Sequence, residues 1–139
     1  MRIIALLLFL STVSFGFAQN NTAQLTPESA MKLLGNGQWK LVASTSPSVK
    51  VYPDLHFIKT YGYTKSRQFV YKAGTIKDGV YKDLGKPQFA TIRSDSSNKL
   101  TIEEDDYGNP KVYTIVQLDE NNFVVGIDDI TYSYIRYRE

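Results

Sequence analysis

Short strand-forming segments follow one another from Trp39 to the end of the chain, and this succession is the feature that most limits the possible folds. Nine stretches are rich in β-branched and aromatic residues, and turn-forming Gly, Pro, Asn, Asp and Ser residues separate most neighbours. The predicted strands span residues 39–45, 55–60, 67–73, 79–82, 88–93, 99–104, 111–118, 123–127 and 131–138. Because short turns join antiparallel neighbours, the pattern predicts an all-β antiparallel meander.

A meander of eight or nine strands has two exposed edges unless it closes on itself or divides into two packed sheets. About eight strands close into a barrel whose interior holds side chains or one small ligand. We therefore expect an antiparallel up-and-down β-barrel of about eight strands, with a β-sandwich as the alternative. No linker, tandem repeat or low-complexity tract interrupts the strands, which predicts a single domain.

The N-terminal residues have the pattern of an export signal. Arg2 supplies a positive charge, residues 3–10 form an unbroken apolar run, and the segment ends in the small residue Ala18. The run is shorter than the roughly 20 apolar residues that a membrane span requires, so we expect no membrane span. We predict a signal peptide over residues 1–18, cleavage after Ala18, and an exported domain, periplasmic or extracellular, over residues 19–139. The chain has no cysteine, so this domain has to be stable without disulfides.

The segment before the first strand predicts a short helix and then a distinctive strand opening. Thr26 suits the N-cap and Gly35 the C-terminal end, which predicts one helix over residues 26–35. Gly37 and Trp39, the only tryptophan, follow in the sequence Gly-Gln-Trp and open the first predicted strand. The end of a barrel has to be closed against water, and a large apolar ring at this position would do so.

A short helix, Gly-x-Trp at the first strand and an arginine in the last strand form an arrangement that resembles the calycin superfamily. In particular, the chain is similar to the lipocalin-like domains of exported bacterial proteins. The resemblance implies that Trp39 closes one barrel end and packs against an arginine of the last strand, here Arg136, with Arg138 as the second choice. A guanidinium on an aromatic face contributes about 0.5–2 kcal/mol through the cation–π interaction.

Aromatic residues on the expected interior faces are the candidates for contact with a ligand. Residues two apart on a strand share a face, so an inward Arg136 places Tyr132 and Tyr134 inside as well. The candidate lining residues are Phe57, Phe69, Tyr71, Tyr132 and Tyr134. They would either line a pocket for a small hydrophobic molecule or fill the interior, and strands this short favour the filled interior. A filled barrel would act as an interaction module or an envelope-associated structural module.

No motif in the chain points to catalysis, to a metal or to a cofactor. His56 is the only histidine, so a zinc site would lack a second one, and no Gly-x-Ser-x-Gly motif is present. The acidic run within residues 103–109 lacks the spacing of an EF-hand calcium loop, and we interpret it as a solvated turn. We therefore predict a protein that is not an enzyme, without catalytic residues, metal or cofactor.

Charge is unevenly distributed along the chain, although the formal net charge is only +2. Residues 40–93 carry ten Lys or Arg and three Asp, whereas residues 95–129 carry two Lys and nine Asp or Glu. The two segments would create an electric dipole if they formed separate faces, but we interpret both sets as solvated outward-facing residues. The overall balance does not indicate nucleic-acid binding, which favours a strongly basic domain.

Overall fold

The computed structural model of the chain describes residues 25–138, which contain one short helix and nine strands. The predicted signal peptide, residues 1–18, lies outside the described residues. Within residues 25–138, no helix has the length and apolar character needed to cross a membrane.

Helix α1 spans Pro27–Leu34, as the capping residues in the sequence predict. Thr26 and Ser29 form a reciprocal capping box at its start, in which each side chain accepts a hydrogen bond from the backbone N–H of the other residue. The chain leaves the helix at Gly35 and enters the first strand almost at once. This short link holds the helix against one end of the sheet.

Nine β-strands follow the helix, and each predicted strand has a counterpart whose bounds differ by a few residues. In chain order they are β1 (Gln38–Ser44), β2 (Leu55–Tyr63), β3 (Phe69–Lys77), β4 (Val80–Asp83), β5 (Gln88–Ser94), β6 (Leu100–Asp106), β7 (Asn109–Leu118), β8 (Asn122–Ile127) and β9 (Ile130–Tyr137). All pairings between them are antiparallel.

Eight of these strands close into a barrel. The order of neighbours is β2, β1, β9, β8, β7, β6, β5 and β3, and pairing between β2 and β3 completes the circle. Strand β4 pairs with one part of β3 and lies outside the circle. The predicted antiparallel up-and-down barrel with one short helix before it is thus confirmed, and the β-sandwich alternative is wrong.

The two ends of the barrel differ in the segments that they carry. One end has α1, the β2–β3 turn and the β7–β8 turn, and we call it the closed end. The opposite end has the loop of residues 45–54, the connection from β3 through β4 to β5, and the β6–β7 turn, and we call it the open end.

Large apolar side chains fill the closed half of the barrel. Trp39 and Phe123 are fully buried, with ring centroids 5.6 Å apart, and Phe123 meets Tyr61 edge to face at 5.9 Å. Leu34 adds a fully buried side chain from α1. Aromatic pairs in these geometries stabilise a core beyond the area that they bury. The helix and the aromatic rings together exclude water from this end.

Candidate functional site

Trp39 and Arg136 meet at the closed end of the barrel, where the resemblance to calycins placed them. The Arg136 guanidinium lies 4.4 Å from the centroid of the Trp39 ring, which is a cation–π distance. The indole N–H of Trp39 donates to the Leu34 carbonyl at 3.0 Å, and Nη2 of Arg136 donates to the Leu33 carbonyl at 2.9 Å. Nε of Arg136 also donates to the Glu120 carbonyl in the β7–β8 turn. This pair therefore joins the helix, the first strand, the last strand and a turn.

Gly37 makes room for that contact. Its φ of +151° lies in the region that favours glycine, and a Cβ at this position would lie 3.1 Å from Nη1 of Arg136. A side chain at residue 37 would push against the guanidinium that covers Trp39. The contact between Arg136 and Trp39 thus explains on steric grounds why glycine occupies the first position of the Gly-x-Trp sequence.

The open half of the barrel contains a cavity of about 580 Å³. Apolar and aromatic side chains make up most of its wall, and one charged side chain of the barrel interior, Lys59, belongs to it. The strands contribute Leu41, Phe57, Ile58, Lys59, Ala73, Gly74 and Tyr134, and the loops contribute Ser48, Val49, Lys50, Tyr52 and Leu84. A volume of this size lies within the range of roughly 300–1,000 Å³ that small-molecule sites occupy. Interior side chains fill the closed half of the barrel and leave space in the open half.

Two of the five predicted lining residues, Phe57 and Tyr134, lie on the wall of this cavity. Phe69 lies deeper in the closed half, where its ring stacks on Tyr61 with centroids 5.8 Å apart.

The other two predicted lining residues also have different partners. The Tyr71 hydroxyl donates to the Asp105 carbonyl at 2.8 Å, and the Tyr132 ring meets Tyr113 edge to face at 6.3 Å. The interior is therefore divided into a packed part and an open part. Alternation along a strand predicts which side chains point inward, but not which of the two parts they occupy.

A charged pair is buried beside the cavity. Nζ of Lys59 lies 2.5 Å from Oε1 of Glu104, and the Tyr61 hydroxyl donates to Oε2 of the same carboxylate at 2.6 Å. The side chains of Lys59 and Glu104 are only 16% and 4% exposed. Each carboxylate oxygen thus has a donor, and the two charges compensate each other.

Three tyrosine rings surround the Lys59 ammonium. Its Nζ lies 5.3 Å from the ring centroid of Tyr71, 5.4 Å from that of Tyr113 and 5.6 Å from that of Tyr134. These distances are within the range of a cation–π interaction, which is stronger in a desolvated site than in water. The electron-rich faces of these rings therefore cover part of the ammonium.

Burial and mutual contact set the ionisation of this cluster. Burial disfavours the Lys59 ammonium, but Tyr134, Tyr61 and Glu104 outweigh that cost and hold the pKa of Lys59 well above its usual value. Burial, with the neighbouring Glu104 charge, raises the pKa of Tyr61 well above its usual value and that of Tyr71 to about 12. At neutral pH Lys59 is therefore an ammonium, and Tyr61 and Tyr71 are uncharged phenols.

The interpretation of the acidic run as a solvated turn is wrong for Glu104. Strand β6 continues through Asp106, and its alternation points Glu104 into the barrel, where the residue is 3% exposed. The sequence around Lys59 contains the matching signal, because Lys59 alternates with Phe57 and Tyr61 and so shares their inward face. A lysine on an apolar face requires a partner, and this requirement indicates a buried acid elsewhere in the chain.

Within residues 25–138, His56 and the possible metal-ligating residues do not form a second candidate site. The His56 ring lies 6.1 Å from the Tyr137 ring. Among residues 25–138, no three His, Cys, Asp or Glu side chains come together in a way that could hold a metal ion.

Comparisons of the chain with protein-family models, with curated proteins and with solved structures find no match.

Proposed function

We propose that this chain is an exported, non-enzymatic, lipocalin-like barrel that binds a small, largely apolar molecule in its open-end cavity. The observation that carries the proposal is the cavity of about 580 Å³, which opens into the interior of a barrel whose other end is sealed. Leu41, Phe57 and Tyr134 would supply contact area to the ligand, and the loop of residues 45–54 would cover it.

The closed end supports the lipocalin-like part of the proposal. A short helix, Gly37 with Trp39 at the start of β1, and Arg136 from the last strand are the features on which the resemblance rests. The apolar run of residues 3–10 supports export.

The buried polar groups favour a binder over an enzyme. A catalytic acid or base works best with a pKa near the ambient pH, whereas the Lys59 pKa is raised far from neutrality. Both oxygens of Glu104 already accept a hydrogen bond, one from Lys59 and one from Tyr61, and the residue is 3% exposed, so the carboxylate has little access to a substrate.

Binding can be tested with Nile red, an uncharged dye whose fluorescence rises in apolar surroundings. We expect saturable binding by the intact protein and a loss of at least about tenfold in affinity for Ala73→Phe, since the added ring would occupy the cavity. Ala43→Phe is the matched control, because Ala43 lies exposed on β1 and outside the cavity wall. This variant should bind the dye as the parent protein does.

Two results would count against a carrier. The first is the absence of saturable dye binding together with native mass spectra that contain no retained small molecule. The second is equal loss of binding in Ala73→Phe and Ala43→Phe. Either result would favour the alternative, an interaction module or envelope-associated structural module that acts through its outer surface.

A further inference from the structure

The cavity presents the positive member of the buried charged pair to a ligand. Lys59 belongs to the cavity wall, whereas Glu104 lies behind it and is 3% exposed. A molecule in the cavity would therefore meet the ammonium and not the carboxylate.

The ammonium of Lys59 has an N–H donor that is available to a ligand. A lysine ammonium has three N–H donors. The Lys59 group donates to Glu104 and also interacts with the Tyr134 hydroxyl, so a third donor remains for a ligand. The rings of Tyr71, Tyr113 and Tyr134 offer it their faces, which do not replace a lone pair in line with an N–H. An oxygen of a bound ligand could accept a hydrogen bond from this remaining N–H donor of Lys59.

The charge of Lys59 is nevertheless already balanced. Glu104 lies 2.5 Å away, so the pair has no net charge to offer to an anion. Asp106, two residues further along the same face of β6, forms an ion pair with Lys111 of β7 at 3.4 Å. A carboxylate beside Lys59 would place a second, uncompensated negative charge close to the buried Glu104, which is costly.

Lys50 is the other lysine of the cavity wall, but it belongs to the outer loop. Its side chain is exposed, so water and salt screen its charge. Lys50 therefore attracts an anion only weakly at the open end of the barrel. This attraction does not offset the electrostatic free-energy cost of placing an anion next to Glu104.

We propose that the Lys59–Glu104 pair makes this cavity select an uncharged molecule, with an apolar body and one hydrogen-bond acceptor such as a ketone, ester or amide, over a carboxylate of the same shape. The inference rests on the proposed function of ligand binding. It assigns Lys59 as the donor to the ligand and Glu104 as the residue that sets the preferred ligand charge.

The test compares two probes of nearly equal shape, naphthyl methyl ketone and naphthoate, by isothermal titration calorimetry at neutral pH. The intact protein should bind the ketone at least about tenfold more tightly than the carboxylate. Glu104→Gln leaves the Lys59 charge without its partner, so the ratio of the two affinities should shift toward naphthoate by at least about tenfold. Lys50→Ala removes a charge at the rim and should change the ratio by less than about threefold.

The outcomes separate this inference from the proposed function. Equal binding of both probes by the intact protein, or an unchanged ratio in a folded Glu104→Gln variant, would overturn the inference while ligand binding stands. Failure of Nile red and of both probes to bind would overturn the proposed function and the inference with it. Circular dichroism shows whether Glu104→Gln is folded, and if it is not, the ratio measured on the intact protein decides.

Discussion

Trp39 and Arg136 satisfy the end of the helix as well as the end of the barrel. The last carbonyls of an α-helix have no partner within the helix. Here the Leu33 carbonyl accepts from Arg136 and the Leu34 carbonyl accepts from the indole of Trp39. The same two side chains thus seal the interior and supply the donors that the buried helix terminus requires, which explains why they belong together.

Trp39→Ala should lower the free energy of unfolding by about 3–5 kcal/mol, because it opens a void at the closed end and leaves the Leu34 carbonyl without its donor. Urea denaturation measures this change. Phe89→Ala is the control, since that ring is 54% exposed and its loss should cost about 0.5 kcal/mol. A loss below about 1 kcal/mol for Trp39→Ala would contradict its role as the seal.

At the scale of elements, the β7–β8 turn is organised around one carboxylate. Oδ1 of Asp119 accepts from the backbone N–H groups of Asn121 and Asn122, both at 2.8 Å, and Oδ2 accepts from the Gln117 amide at 3.1 Å. Partial burial alone would raise the pKa of Asp119, but these hydrogen bonds outweigh it and lower the pKa below its usual value. The turn also carries the Glu120 carbonyl that Arg136 contacts, so its order contributes to the closed end.

Asp119→Ala should lower the free energy of unfolding by about 1–2 kcal/mol at neutral pH. Because the Asp119 pKa is lower in the folded state, its contribution is present above the unfolded pKa of about 3.9 and is lost as the pH falls through the folded pKa. Denaturant titrations at a series of pH values should therefore show the variant and the parent converging in acid. Asp129→Ala, in the exposed β8–β9 turn, is the matched control and should change stability little. A difference that persists unchanged in acid would contradict the assignment.

The elements themselves could be predicted because their signals are local. Alternation and turn composition located the nine strands, and Thr26 and Gly35 located the helix. The end of β6 was predicted too early because Tyr107 is not a typical turn residue. In the structure, Tyr107 and Gly108 have φ of +52° and +87° and form a two-residue turn, so pairing continues to Asp106.

The site could be predicted less well because it depends on closure of the barrel. Lys59 and Glu104 are 45 residues apart, on strands β2 and β6 that are not neighbours in the sheet. Only the closed circle brings these two faces together across the interior, and no local pattern records such a pairing. The same holds for the cavity, since the space near Ala73 is what remains after the larger side chains have packed.

At the scale of the whole molecule, the interior changes from apolar at the closed end to phenolic and charged toward the open end. Burial raises the pKa of Tyr134 and of Tyr113, as it does for Tyr61 and Tyr71. The folded barrel therefore retains these phenolic protons more strongly than the unfolded chain does. Because the pKa values of four tyrosines from different strands are all raised, the response to alkali is a property of the whole barrel.

The barrel should lose stability as the pH rises above about 10, where tyrosines of the unfolded chain begin to ionise. The sign follows from the raised folded pKa values: the contribution is complete below the unfolded pKa and is lost as the pH approaches about 12, the folded pKa of Tyr71. Guanidinium denaturation at rising pH measures the loss, and tyrosinate absorbance follows the titration. Tyr71→Phe should weaken the pH dependence, and an identical dependence in this variant would contradict the assignment.

One edge of strand β3 pairs with two different strands, β4 and β5. It pairs with β4 from Gly74 to Lys77 but with β5 only at Val70 and Tyr71. Two residue pairs provide few backbone hydrogen bonds, so we expect this seam to separate at a lower free energy than the longer ladder between β2 and β3. Ala73 and Gly74 adjoin the seam and line the cavity. Fraying at this seam would give the ligand proposed above a lateral entrance to the cavity that does not require the loop of residues 45–54 to move.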